Sequence, residues 1–217
     1  MSWDSDLVDN VSDELFWDPK VDNEAIAVTV KAGTVTLRGT VGSLREKREA
    51  KKAAQRVIGV LDVDNDLKVR LMGDGGRIDA DIRGDVLQAL MLDSLVPGTV
   101  DAKVADGYVT LSGSVDWQYQ RDEAEFVASN IVGALDVYDE IEINNPQPNA
   151  GDVQDSINNA FKRNAALDAE GLHVSTADGI VTVKGTVGSW AERDQAIDAA
   201  WSAPGVTAVR DDLTVTY

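Results

Sequence analysis

One glycine spacing recurs three times along the chain and constrains the fold more than any other feature. Gly33, Gly39 and Gly59 are matched by Gly107, Gly113 and Gly133, and again by Gly179, Gly185 and Gly205. Each set has the same steps of six and then twenty residues, and the sets are offset by 74 and then 72 residues. The surrounding segments agree as well: AGTVTLRGTVGS from Ala32, DGYVTLSGSVDW from Asp106 and DGIVTVKGTVGS from Asp178. A repeat of this length points to one small unit built three times, not to one large core. Gly73-Asp74-Gly75-Gly76 and the run Asn144 to Asn149 have linker composition. The expected units are therefore residues 1–73, 74–148 and 149–217.

Within each unit the apolar period changes in a fixed order. Leu7, Val11, Leu15, then Ile82, Val86, Leu90, then Val153, Ile157, Phe161 recur at i, i+4, i+8, the spacing of a helix buried on one side. Alternation of period two follows, at Val28, Val30, Val35 and Leu37 in the first copy and at Val174, Val181 and Val183 in the third. Between the two arms stand Ala32-Gly33, Asp106-Gly107 and Asp178-Gly179, suited to a type I′ hairpin turn. A second helix opens with capping boxes, Ser43 to Glu46 and Ser189 to Glu192, and with Asp116 as the expected cap in the second copy. Its buried stripe is small: Ala50, Ala53, Val57 in the first copy and Ala124, Val127, Ile131 in the second. Gly59, Gly133 and Gly205 are placed to end that helix in the left-handed conformation. A last strand carries Val63, Leu67, Val69, or Val137, Ile141, Ile143, or Val209, Leu213, Val215. The prediction is an α+β protein of three tandem αββαβ units, each a three-stranded sheet with two helices on one face.

The glycine pattern, G-x-V-T-L-x-G-x-V at Gly33–Val41 and Gly107–Val115 (Val183 replacing the leucine in Gly179–Val187), resembles the BON domain family. So do the helix ends at Val57–Val60, Ile131–Ala134 and Ala203–Val206 and the final V-x-x-x-L-x-V at Val63–Val69 and Val209–Val215. The family takes its name from bacterial OsmY and nodulation proteins. The resemblance covers almost the whole chain and implies a non-enzymatic protein with no catalytic residues and no cofactor. It further implies phospholipid binding at membrane surfaces in osmotic or envelope stress. A chaperone-like or protein-interaction scaffold and a potassium-sensing role are alternatives that the same family allows.

Composition closes off several chemistries. Cysteine is absent and His173 is the single histidine, so thiolate chemistry and histidine metal clusters are not expected. Asp62 to Asp66 starts like a calcium loop, but Leu67 and Gly73 stand where glycine and glutamate are required. No metal site is expected. The 20 basic and 38 acidic residues give a net charge of −18, which argues against nucleic acid as a partner. The start MSWDSDLVDN lacks the basic and apolar parts of an export signal. It reads as cytoplasmic as it stands, or periplasmic where a leader has been removed.

Charge is distributed unevenly. Residues 1–73 carry 11 basic and 13 acidic side chains, residues 74–148 carry 4 and 15, and residues 149–217 carry 5 and 10. Arg45, Arg48, Lys52 and Arg56 fall within about 80° of arc on the second helix of copy one, opposite its alanine stripe. They are the candidate site for anionic phospholipid headgroups, or else a solvated helix face. All four are expected to project into water, so exchanging them for glutamate is expected to leave folding intact. At the matching positions copy two has Tyr119, Asp122, Phe126 and Asn130. Tyr119 and Phe126 are expected to face outward, either against a sister repeat or as a surface for lipid or another protein. Trp117 and Trp190 open the second helices of copies two and three, where Leu44 stands in copy one. They are further interaction candidates, as anchors at a bilayer interface, or else hydrophobic staples at the helix start.

Overall fold

A computed structural model of the chain describes residues 3–70, 77–144, 150–164, 167 and 171–217. The linker segments at 73–76 and 145–149, on which the expected boundaries rest, lie outside the described residues. The first repeat runs α1 (Trp3–Trp17), β1 (Ile26–Lys31), β2 (Thr34–Val41), α2 (Leu44–Gln55) and β3 (Asp62–Val69). The second runs α3 (Asp79–Leu92), β4 (Asp101–Ala105), β5 (Tyr108–Val115), α4 (Gln118–Ser129) and β6 (Asp136–Ile143). The third runs α5 (Ala150–Arg163), β7 (Leu172–Ala177), β8 (Ile180–Val187), α6 (Trp190–Trp201) and β9 (Ala208–Val215). The architecture is α+β with the αββαβ order repeated. The chain gathers into two compact units, Met1–Gly113 with Asp122–Ile141, and Ser114–Arg121 with Glu142–Tyr217.

Each sheet keeps the sequence order of its three strands, with β2, β5 and β8 central. The hairpin β1–β2 is antiparallel, pairing Val30 with Val35, while β3 lies parallel to β2 with Val35 opposite Val63 and Val41 opposite Val69. A parallel neighbour needs a crossover, and α2 supplies it. The hairpin turn places Ala32 at φ 50° and Gly33 at φ 82°, the paired positive angles of a type I′ turn. Asp106-Gly107 and Asp178-Gly179 repeat these values within a few degrees.

Both helices cover the sheet face that carries Val35, Leu37, Val63 and Leu67. Leu7, Val11 and Leu15 of α1 are buried there, as the i, i+4, i+8 stripe predicts. The buried stripe of α2 is Ala50, Ala53 and Ala54, with Val57 only half-buried beyond the helix end. Likewise Ala124 and Ala128 of α4 are buried, while Val127 and Ile131 are half-buried. Small side chains on this helix leave room for the larger residues of α1 and the sheet.

Gly39 has a different task from the turn and cap roles expected of the glycines. It lies within β2 at φ 137°, and a Cβ there would stand 1.8 Å from the Ala25 carbonyl oxygen. The chain entering β1 crosses over this bare position. Gly113 against the Thr99 oxygen (2.2 Å) and Gly185 against the Gly171 oxygen (2.1 Å) repeat the device. These glycines are required by close approach of backbone to backbone.

Candidate functional site

The basic face of α2 begins with a well-made N-terminus. Ser43 Oγ accepts from the Glu46 N–H (3.1 Å), and Glu46 returns its carboxylate to the N–H groups of Gly42 (2.8 Å) and Asp22 (2.8 Å). The reciprocal bond thus falls one residue before the cap, and it also ties down the segment entering β1. In α6 the same pair works through Ser189, Glu192 and Gly188. In the second repeat Gln120 accepts from both Asp116 (3.0 Å) and Trp117 (3.1 Å). Gln120 supplies the side-chain acceptor there.

Three of the four expected headgroup residues are occupied within the first compact unit. Arg56 donates to Glu14 Oε1 (2.8 Å) and to Asp18 Oδ2 (2.8 Å), joining α2 to the end of α1. Asp18 is buried, and its hydrogen bond from Arg56 and the Lys20 N–H hold its carboxyl below the usual carboxylate range. Arg48 donates to Glu125 Oε1 (3.1 Å) and Ser129 Oγ (3.1 Å) of α4. Arg45 donates to Asn130 Oδ1 (3.1 Å) and lies 5.6 Å above the centre of the Phe126 ring. The expectation of a free four-residue ridge is therefore corrected: Lys52 is the one of the four with no hydrogen bond or ion pair among the described residues.

The aromatic candidates separate. Phe126, at the position of Lys52 in copy one, receives Arg45 on its ring. Tyr119 is exposed, and Trp117 is half-buried. Of the two readings of Trp190, the surface one is corrected and the packed one holds: it is only 8% exposed, in the core with Val183 and Ala196, with Arg193 lying 4.6 Å over its ring. It fills the place that Leu44 holds in copy one, where the first turn of the helix meets the core.

A feature the sequence reading missed lies at the ends of the first helices. Phe16 is 71% exposed and Trp17 78%, directly after buried Leu15. In the second repeat Met91 is 78% exposed and Leu92 73%, directly after buried Leu90. At 100° per residue these pairs stand 100° and 200° past the last stripe residue, well off the buried face. Copy three has Lys162 and Arg163 at the same place after Phe161, so the fold does not demand apolar residues there. The signal was legible in principle: two apolar residues beyond the stripe, in two repeats out of three.

Among the described residues no group of three or more histidine, cysteine, aspartate or glutamate side chains is arranged to hold a metal ion, and no helix is long and apolar enough to cross a membrane.

Comparison with known proteins places these features in a family. The model of the BON domain matches residues 4–70, 78–145 and 149–217. The chain is 32% identical over 128 residues to Osmotically-inducible protein Y of Escherichia coli (strain K12). That alignment takes in 56% of this chain and 64% of the relative, so the match spans just under two thirds of the relative's length. Two solved structures of CdsD, described as a structural protein of the Type III secretion system of Chlamydia trachomatis, also align. One is 16% identical, covering 97% of this chain and 92% of that one at a TM-score of 0.27. The other, a C-terminal domain, is 15% identical, covering 98% of each at a TM-score of 0.28. Scores at this level carry no argument.

Proposed function

The chain belongs to the BON domain family in all three of its repeats, and from that premise we propose that it is a non-catalytic binding protein whose target is a phospholipid bilayer surface. The observation that carries the reading is the exposed pair Phe16 and Trp17, echoed by Met91 and Leu92. Large apolar side chains held in water at a helix end gain free energy at a bilayer interface, and tryptophan suits that boundary by its mixed character. Burying a large apolar side chain fully is worth about 1.5–3 kcal/mol, so the partly covered Phe16–Trp17 pair contributes about 2–4 kcal/mol. Attachment through one pair is accordingly weak and reversible.

On this reading the bilayer contact lies at the helix ends, and the arginines of the basic ridge, bound within the fold, are not its source. Asp13, Glu14 and Asp18 surround the aromatic pair in sequence, so the contact gains little from anionic headgroups. Apolar insertion is also insensitive to salt, unlike an interaction between exposed charges. The relative's name speaks of osmotic induction, and we place this chain's action under the same stress.

Sedimentation with neutral phosphatidylcholine vesicles and with anionic vesicles, at low and high salt, tests the reading. Binding should persist at high salt on both, and Phe16→Ser with Trp17→Ser should lower the partition coefficient by about thirtyfold, the equivalent of 2 kcal/mol. Binding confined to anionic vesicles, abolished by salt and untouched by the double substitution would overturn it.

A further inference from the structure

We propose that the cleft between α2, β3, α4 and β6 is a binding site for a compact anion bearing phosphate with two or more negative charges. The cleft measures about 290 Å³ and is lined by Lys47, Arg48, Lys51 and Lys52 together with Glu125 and Asp136. That volume lies just below the range of about 300–1,000 Å³ typical of drug-sized ligand sites, which suits a compact ion. Leu44 and Val137 supply apolar wall, and Gln55 and Asn65 supply amides. Four cations against two carboxylates leave a net positive cleft on a chain whose total charge is −18. A cleft of one sign in a surface of the other concentrates the opposite ion.

The cations are not equally committed. Arg48 is bound to Glu125 and Ser129, and Lys47 holds Asp136 loosely at 3.7 Å. Lys51 and Lys52 are exposed and have no recorded partner among the described residues. Lys47, Lys51 and Gln55 stand at i, i+4, i+8 and form one row along α2, with Arg48 and Lys52 in the next row. Folding does not require this row. Copy two has Glu125 and Phe126 at the positions of Lys51 and Lys52, and copy three has Ile197 and Asp198. The lysines belong to copy one alone, where the neighbouring repeat supplies the opposite wall.

The donors define the ligand. A planar carboxylate is best held by the fork of a guanidinium, and the one guanidinium lining the cleft is already engaged. The uncommitted donors are ammonium groups, which recognise charge and offer N–H bonds in several directions. They favour a tetrahedral, multiply charged phosphate. Such a ligand would bridge walls drawn from two repeats and so stabilise their contact. The site stands apart from Phe16 and Trp17, and its success or failure leaves the bilayer reading untouched.

Calorimetric titration with pyrophosphate at low salt reads the site directly. Wild type should bind, and Lys51→Glu with Lys52→Glu should weaken binding at least tenfold without lowering the melting temperature. Should charge reversal lower the melting temperature, Lys51→Gln with Lys52→Gln decides, and it too should weaken binding. Absence of binding to wild type, or equal affinity in the folded double variants, overturns the proposal. Vesicles carrying a phosphatidylinositol phosphate, set against phosphatidylserine vesicles of equal charge, identify the source. Preferential sedimentation reversed by pyrophosphate assigns the site to a phosphorylated headgroup, whereas pyrophosphate binding without that preference assigns it to a free anion.

Discussion

Replacing Arg56 with alanine separates a structural role for the basic face from a headgroup role. Arg56 was expected to project into water, where its loss would cost nothing. In the structure its guanidinium spans Glu14 and buried Asp18, each at 2.8 Å. The Glu14 bond is partly exposed and is worth at most about 1 kcal/mol. The Asp18 bond matters more, because truncation leaves a buried carboxylate with the Lys20 N–H at 3.0 Å as its remaining hydrogen bond among the described residues. Losing a hydrogen bond to a charged group costs about 1.5–3 kcal/mol, so about 2 kcal/mol is expected at neutral pH. The pH dependence follows from the direction of the shift. Asp18 titrates below its ordinary value in the folded chain, so its stabilisation is present above the unfolded pKa and is lost as pH falls through the folded one. Urea unfolding of wild type and Arg56→Ala, followed by circular dichroism, should therefore differ at pH 7 and converge in strong acid. Equal midpoints at pH 7, or a difference undiminished in strong acid, would refute the argument.

Gly113→Ala should cost about 2–4 kcal/mol, since its Cβ would stand 2.2 Å from the Thr99 oxygen at a positive φ; a thermal melt within two degrees of wild type would contradict the close-approach explanation. Glu123 has its pKa raised, by burial first and then by the Asp93 carboxylate. The charged form is thus disfavoured in the fold, and stability falls as pH rises through its folded pKa. Glu123→Gln should raise the melting temperature at pH 7 and not at pH 3, a contrast that scanning calorimetry reads. Trp190→Ala should lose about 3–5 kcal/mol as a core truncation; a variant as stable as wild type in urea would return Trp190 to the surface.

The repeat, the element order and the three helix stripes were legible because each depends on local periodicity. Leu7, Val11 and Leu15 can be read from spacing alone, and so can the turn at Ala32-Gly33. Gly39 could not, because its reason is a carbonyl fourteen residues earlier in the chain, brought close only when β1 pairs with β2. The basic face of α2 was visible as a pattern but not as a set of bonds. Whether Arg45 meets water or Phe126 depends on how the second repeat docks, and no periodicity encodes that contact. Phe16 and Trp17 are hidden in the pattern for another reason: they directly follow the stripe residue Leu15, so a run of three apolar residues reads as the end of the buried face.

The central claim is that apolar residues at the end of α1 enter the bilayer, and quenching of tryptophan fluorescence by lipids brominated on their acyl chains tests it most directly. Trp17→Phe keeps the apolar character of the pair and should keep vesicle binding, so the comparison isolates one indole. Wild type should be quenched on neutral vesicles, and most of that quenching should vanish in Trp17→Phe at equal bound protein. Quenching of the same depth in both proteins, or none in a wild type that sediments with the vesicles, would contradict the account.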